Sequence, residues 1–152
     1  MQSFAIAPAG LKPVWFILLI LGAVLVPVIG VLVLSLVGSQ TARFEVSPEG
    51  LRLRGDLYGR FIPADQLRGD MARRVDLATA PELQPVMRRI GTALPGYRTG
   101  WFRLRGGQKA LLYLTDASRA VYIPTSNGYS LLLSPSDPDR FLSAIRSATG
   151  LK

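Results

Sequence analysis

Arginines and aromatic side chains alternate with leucines in residues 50–63, whose sequence is GLRLRGDLYGRFIP. Arg52, Arg54 and Arg60 could bind phosphate groups, because a guanidinium donates several hydrogen bonds in a planar fork. Arg43 lies just upstream and extends the set. One interpretation is a basic face toward anionic lipid headgroups, to which each charge near a bilayer contributes about 1 kcal/mol. The other is the solvated side of a β-strand whose leucines fill a core, and the sequence leaves both open.

A second basic and aromatic segment is TGWFRLR, residues 99–105. Strand alternation places Trp101, Arg103 and Arg105 on one side and the intervening apolar side chains on the other. Cations interleaved with aromatic rings can stack nucleotide bases, but one tryptophan and two arginines are a weak signal for that function. We expect no nucleic-acid partner, and we assign these three residues to a lipid-binding or protein-binding surface.

Catalytic chemistry is not expected. The chain contains no cysteine and no histidine, so thiolate nucleophiles and the commonest general base and metal ligand are missing. Neither Lys109 nor Lys152 lies at a recognisable spacing from a serine, as a Ser-Lys pair would require. The turns SPEG, SNG and GG lack the GK[ST] sequence and the following helix of a phosphate loop. The sequence therefore predicts a non-enzymatic protein with no catalytic, metal-binding or cofactor-binding residues.

The charge of the chain is strongly positive and unevenly distributed. The formal net charge is +8, and of the 18 basic residues only Lys12 precedes residue 38. A basic surface of this kind favours polyanionic partners but by itself sets no specificity. The cysteine-free composition fits a reducing compartment.

Residues 14–37 carry no charge and predict one transmembrane helix. At about 1.5 Å per residue they span about 36 Å, more than a hydrocarbon core of about 30 Å. Pro27 and the nearby glycines are tolerated in a membrane helix as a kink rather than a break. A cleaved signal peptide is the alternative, although its apolar region is usually shorter. We expect a tail over residues 1–12, a membrane helix over 13–38 and a folded domain over 39–149.

The segments after residue 38 alternate apolar and polar side chains between turn signals. They predict about seven strands of an antiparallel, partly open barrel, a group of four followed by a group of three. Residues 79–96 contain three prolines and two glycines, and we predict a loop with a short helical piece there. Asp137 can cap a final amphipathic helix that begins at Pro138 and covers the open end.

Several phrases resemble the bacterial pleckstrin-homology (PH-like) domain family. They are YGRFIP (58–63), YRTGWFRLRGGQKALLYLT (97–115) and VYIPTSNGYSLLLSPSDPDRFLSAI (121–145), and the resemblance covers roughly residues 43–147. It implies a mainly β, PH-like barrel beside a membrane span and a binding role. Phosphoinositide-binding PH domains carry lysines and arginines in the first hairpin loop. Here that loop is SPEG, residues 47–50, which argues against inositol-phosphate specificity.

These observations together predict a membrane-anchored interaction or scaffolding module with a protein partner. A sensor of anionic lipid headgroups is the alternative function. The arginines that follow the apolar segment outnumber the lone Lys12 before it, so the domain is expected on the cytoplasmic side of a bacterial inner membrane. Self-association through open strand edges is left open.

Overall fold

The computed structural model describes residues 12–55 and 57–150, except for the side chains of residues 12, 13 and 34–41. The chain forms two compact units, one that ends at Leu36 and one that begins at Val37. The predicted N-terminal tail lies, up to residue 11, outside the described residues.

The first unit is a single helix, α1 (Lys12–Thr41), which continues through Pro27. Its segment Val14–Val33 is long and apolar enough to cross a membrane, by length and composition. Large apolar side chains point outward all round this segment, from Trp15 to Val33. A helix that is apolar on every side has no polar face for water. The predicted continuity through the proline is thus observed.

The second unit contains a small antiparallel sheet, β1 (Arg43–Ser47), β2 (Gly50–Arg54) and β3 (Phe61–Pro63), in that order. Ser47 pairs with Gly50 across a two-residue turn, as the SPEG signal predicts. Gly50 has a φ of +150°, and a Cβ placed on it would lie 2.2 Å from the carbonyl oxygen of Ile62. The close approach of β3 therefore requires glycine at this position.

The larger sheet has six strands, which are β4 (Arg73–Val75), β5 (Pro85–Leu94), β6 (Tyr97–Leu104), β7 (Lys109–Leu114), β8 (Ala120–Pro124) and β9 (Tyr129–Leu133). Their order in the sheet is β4-β8-β9-β7-β6-β5. All neighbouring strands are antiparallel except β7 and β9, which are parallel. Because β7 to β9 form the interior of the sheet, their side chains are mainly apolar on both faces and most of them are buried.

Two apolar clusters lie on opposite faces of the larger sheet. The first joins that sheet to β2 and the final helix, and Leu51, Leu111, Ile123 and Ile145 are among its fully buried members. The second packs alternate residues of the same strands against a covering segment that contains Leu77 and Leu83. The strands β7, β8 and β9 thus contribute to both clusters, because successive side chains along a strand point to opposite faces.

The final helix, α2 (Pro138–Ala148), begins as predicted. The Asp137 carboxylate accepts a hydrogen bond of 3.0 Å from the backbone N–H of Arg140. Pro138 occupies the first helical turn, where its missing N–H costs no hydrogen bond. Phe141, Leu142 and Ile145 form the buried stripe that covers the first cluster.

The predicted mainly β class with a closing helix is observed, but the strand count and one connection differ. The described residues contain nine strands in two sheets rather than about seven in one, and no closed barrel. The predicted loop and short helix over 79–96 is wrong, because a ten-residue strand, β5, occupies most of it. Register shifts between Pro85 and Met87 and between Arg88 and Ile90 interrupt the alternation that would have indicated a strand.

The prolines of this segment fit a strand because they lie at its boundaries. Pro81 begins a single 3-10 turn, Pro85 is the first residue of β5, and Pro95 lies in the tight turn to β6. Gly91 and Gly100 face each other, and a Cβ on either would lie within 2.4 Å of a backbone oxygen of the other strand. The glycines therefore permit a close strand crossing rather than ending the strand.

Candidate interaction surface

Trp101 lies half-buried on β6 and is surrounded by cations and one further ring. The Arg60 guanidinium carbon lies 4.9 Å from the Trp101 ring centroid, and the Lys109 Nζ lies 4.2 Å from it. The Tyr129 ring meets Trp101 edge-on, with centroids 5.1 Å apart. Cation–π contacts of this kind contribute about 0.5–1 kcal/mol when exposed and more when desolvated.

The strand registers explain why these residues meet. Lys109 pairs with Arg103 across β6 and β7 and with Tyr129 across β7 and β9, so the three form a row on one face. Trp101 is two residues from Arg103 on the same face. Arg60 comes from the segment before β3, and its backbone oxygen accepts a 2.8 Å hydrogen bond from the N–H of Leu53. We call Arg60, Trp101, Arg103, Lys109 and Tyr129 the Trp101 cluster.

The charges of the Trp101 cluster are not neutralised within the described residues. The three ion pairs found there involve Arg54, Arg73 and Arg74, and none includes a cation of the cluster. Arg103 and Lys109 are direct cross-strand partners, an arrangement in which like charges repel. An anion bound between them would relieve this repulsion, so the cluster favours an anionic ligand.

Exposed apolar side chains continue the same face onto β5. Ile90 is the register partner of Trp101 and Met87 is that of Arg103. Their exposed fractions are 63% and 57%. Basic, aromatic and aliphatic groups are therefore adjacent on one surface, a combination suited to a partner that offers both carboxylates or phosphates and apolar groups. Sequence reasoning missed Met87, Ile90 and Lys109, since the bulges hid β5 and a single lysine gave no signal.

The outer side of the small sheet carries a second basic group. Arg43 faces Arg54 across β1 and β2. Arg54 forms an ion pair of 3.2 Å with Glu45, and Arg52 lies 5.5 Å from the Phe61 ring centroid. Part of the positive charge of the small sheet is therefore compensated, and the exposed Arg54–Glu45 pair contributes less than about 1 kcal/mol to stability.

The seven residues singled out from the sequence fall into three places. Arg60, Trp101 and Arg103 belong to the Trp101 cluster. Arg43, Arg52 and Arg54 lie on the small sheet, and Arg60 borders both groups because it also lines a shallow depression with Arg52 and Arg54. Arg105 lies apart in the turn after β6, where its N–H donates to the carbonyl of Gln84 at 2.9 Å.

Other titratable groups of the described residues offer little chemistry. No group of three or more His, Cys, Asp or Glu side chains that could hold a metal ion occurs in that part of the chain. The Ser118 hydroxyl and backbone N–H donate to Asp116 Oδ1 at 2.6 and 2.9 Å, which lowers the pKa of Asp116. This carboxylate caps the short turn before β8, a structural role.

The family comparison covers most of the second unit. A family model described as "Bacterial PH domain" matches residues 42–149. No curated protein matches the chain, and no solved structure does. The matched segment begins at the residue before β1 and ends just after α2, so it includes both sheets and the closing helix.

Proposed function

The chain belongs to the bacterial PH domain family, and on that premise we propose that it is a membrane-anchored interaction module that binds a protein partner through the Trp101 cluster and its apolar extension. PH domains generally act as non-catalytic modules that bind proteins or lipids. The observation that carries the assignment is the adjacency of uncompensated cations and exposed apolar side chains on one face. Met87 and Ile90 supply apolar area, and Trp101 with its cations supplies the anchor typical of interaction hot spots.

The proposed anchor is the apolar part of α1, which crosses the inner membrane once. The following domain, proposed to occupy residues 39–149, then lies in the cytoplasm, since arginines are concentrated after the helix. The helix continues only to Thr41 and β1 begins at Arg43, so the linker between them is minimal. Such a tether raises the effective concentration of the domain toward membrane components and makes weak contacts sufficient.

Fractionation of the full chain tests the anchor. We expect the protein in the membrane pellet after alkaline carbonate extraction, and a reporter fused after Lys152 active only in the cytoplasm. Recovery in a soluble fraction with an N-terminus inside the apolar segment would instead establish a cleaved signal sequence.

Capture of the full chain in mild detergent tests the protein-binding function. We expect a partner whose recovery is lost in a Met87→Ser and Ile90→Ser variant and withstands about 0.5 M salt, because apolar contacts are insensitive to ionic screening. A matched control is Val86→Ser, which removes another exposed aliphatic side chain of β5. Equal losses in both variants would contradict the proposed face.

Recognition of anionic headgroups is the second candidate, favoured by the absence of ion pairs for Arg60, Arg103 and Lys109 within the described residues. The two tryptophans allow a direct test, because Trp15→Phe leaves Trp101 as the fluorophore. The full chain is placed in neutral phosphatidylcholine nanodiscs and in discs containing phosphatidylglycerol. Headgroup binding predicts that Trp101 becomes shielded from acrylamide only in the anionic discs and that salt reverses the shielding. Identical quenching in both discs would exclude headgroup binding, and protein binding would be the remaining candidate function.

A further inference from the structure

The outer edge of β5 is unusually available for pairing. Among the described residues, β5 is the last strand in the order of the larger sheet and pairs only with β6. It has ten residues, whereas β4 at the opposite edge has three. An edge strand presents unpaired N–H and C=O groups, and proteins usually limit this exposure by keeping such strands short. The sheet is therefore open for strand addition mainly on the β5 side.

The two halves of β5 offer different chemistry to an added strand. The first half contains Pro85 and both register shifts, features that oppose continuous pairing. From Ile90 to Leu94 the register with β6 is unbroken. This regular half can act as the template for backbone hydrogen bonds, while the irregular half projects its side chains beside it.

The side chains of the irregular half define the partner. Arg88 and Arg89 are exposed, and neither belongs to an ion pair among the described residues. The sequence of β5, PVMRRIGTAL, contains no acidic residue. A second copy of the chain joined edge to edge through β5 would thus bring no carboxylate to these arginines. A segment with acidic residues beside its pairing half would complement both features.

We propose that the free edge of β5 accepts an extended, acidic segment of a partner protein as an additional strand. Backbone pairing runs along residues 90–94, and carboxylates at the adjoining end of the segment contact Arg88 and Arg89. The inference rests on the proposed interaction function and specifies its partner. It is separable from the Trp101 cluster, because the edge presents backbone groups whereas the cluster presents side chains on a sheet face.

A designed peptide tests strand addition to the full chain in phosphatidylcholine nanodiscs. The probe is an acetylated and amidated peptide of five alternating threonines and valines followed by three glutamates. In antiparallel addition the first five residues pair with residues 90–94, and the glutamates that follow lie beside Arg89 and Arg88. One control peptide has lysines in place of the glutamates, and another has prolines in place of the valines. We expect only the acidic, proline-free peptide to bind and to slow hydrogen exchange of the amides in residues 90–94.

Charge reversal of the edge tests the specificity. Arg88→Glu with Arg89→Glu should weaken binding of the acidic peptide at least about tenfold and permit binding of the lysine peptide. The matched control is Arg68→Glu with Arg140→Glu, which changes the net charge equally at two exposed arginines outside β5 and β6. Replacement of Arg88 and Arg89 by glutamine provides a second variant with the same expected direction, and equal thermal unfolding midpoints establish that the fold is retained.

Several outcomes would overturn the inference. Binding of the proline peptide, absence of amide protection in residues 90–94, or equal effects of the test and control substitutions would exclude strand addition at this edge. The amides of residues 90–94 could also be protected from exchange without peptide. Protection that increases with protein concentration would show that a second copy of the chain occupies the edge. Protection that requires phosphatidylglycerol would show that the bilayer occupies it. The readout is separate from Trp101 fluorescence and from salt-resistant capture, so failure here and failure of the proposed function are distinguished.

Discussion

Arg103 and Arg98 form a matched pair for testing which face of β6 binds an anionic surface. Both are exposed arginines on one strand, and the uninterrupted pairing with β7 over residues 98–103 fixes their directions. Arg103 shares the face of Trp101 and Lys109, whereas Arg98 pairs with Leu114 of the cluster on the other face. Replacing either by glutamate changes the total charge equally, so any difference reports position.

The magnitude follows from the surface potential of an anionic leaflet. A cation near such a surface contributes about 1 kcal/mol, and its replacement by an anion also adds a repulsion of similar size. Arg103→Glu should then cost about 2 kcal/mol, which lowers the docking equilibrium constant about 30-fold. Arg98→Glu, on the opposite face of the sheet, should change the docking equilibrium constant less than about threefold.

The assay is acrylamide quenching of Trp101 in the Trp15→Phe background, in nanodiscs containing phosphatidylglycerol. We expect Arg103→Glu to restore the quenching observed in neutral discs and Arg98→Glu to leave Trp101 shielded. Salt at about 0.5 M should remove the difference, because the Debye length falls below the dimensions of the cluster. Equal behaviour of the two variants, or shielding that resists salt in both, would refute the argument that this face binds through uncompensated charge.

Three further predictions concern the stability of the domain. The hydroxyl of Thr99 is buried and has no hydrogen-bond partner among the described residues. Thr99→Val should therefore raise the free energy of unfolding, measured by urea titration, by about 1 kcal/mol. A lower free energy of unfolding would show that the hydroxyl has a hydrogen-bond partner. Gly50→Ala should lower the free energy of unfolding by about 3 kcal/mol or more, because the added Cβ would collide with the Ile62 carbonyl oxygen. An unchanged midpoint of the urea transition would contradict the close approach of β3 to Gly50. Ser118 hydrogen bonds lower the pKa of Asp116, so their stabilisation is present above the unfolded-state pKa and disappears as pH falls through the lower folded-state value. Ser118→Ala should raise the pKa of Asp116 measured by NMR and reduce the loss of stability below about pH 4, whereas an unmoved titration would exclude the hydroxyl as the cause.

Local signals made part of the fold predictable. The SPEG turn determined the pairing of β1 with β2, and Asp137 with Pro138 determined the start of α2, because both depend on residues a few positions apart. The parallel pairing of β7 with β9 could not be inferred in this way, since β8 separates them along the chain. The strand β5 was hidden by its two register shifts, which displace the alternation on which strand prediction depends.

The candidate surface was predictable in its residue types but not in its grouping. Arg60, Trp101 and Arg103 stood out as basic or aromatic residues on strands, and the contact of Arg60 with Trp101 required the small sheet to meet the larger one. Lys109 could be assigned to the Trp101 cluster only from its strand pairing with Arg103 and Tyr129. The assignment of these residues to binding, and the domain boundaries, stay predictions.

The place of β9 in the larger sheet has a consequence for biosynthesis. β9 lies between β8 and β7, and it is the last of the described strands to be synthesised. Until residues 129–133 emerge, β4 with β8 and β5 with β6 and β7 remain separate halves, and the apolar strands β8 and β7 each lack a neighbour on one side. The larger sheet can therefore be completed only after residues 129–133 have left the ribosome. Nascent chains that end before residue 129 should therefore expose unpaired apolar strand edges, which favour aggregation.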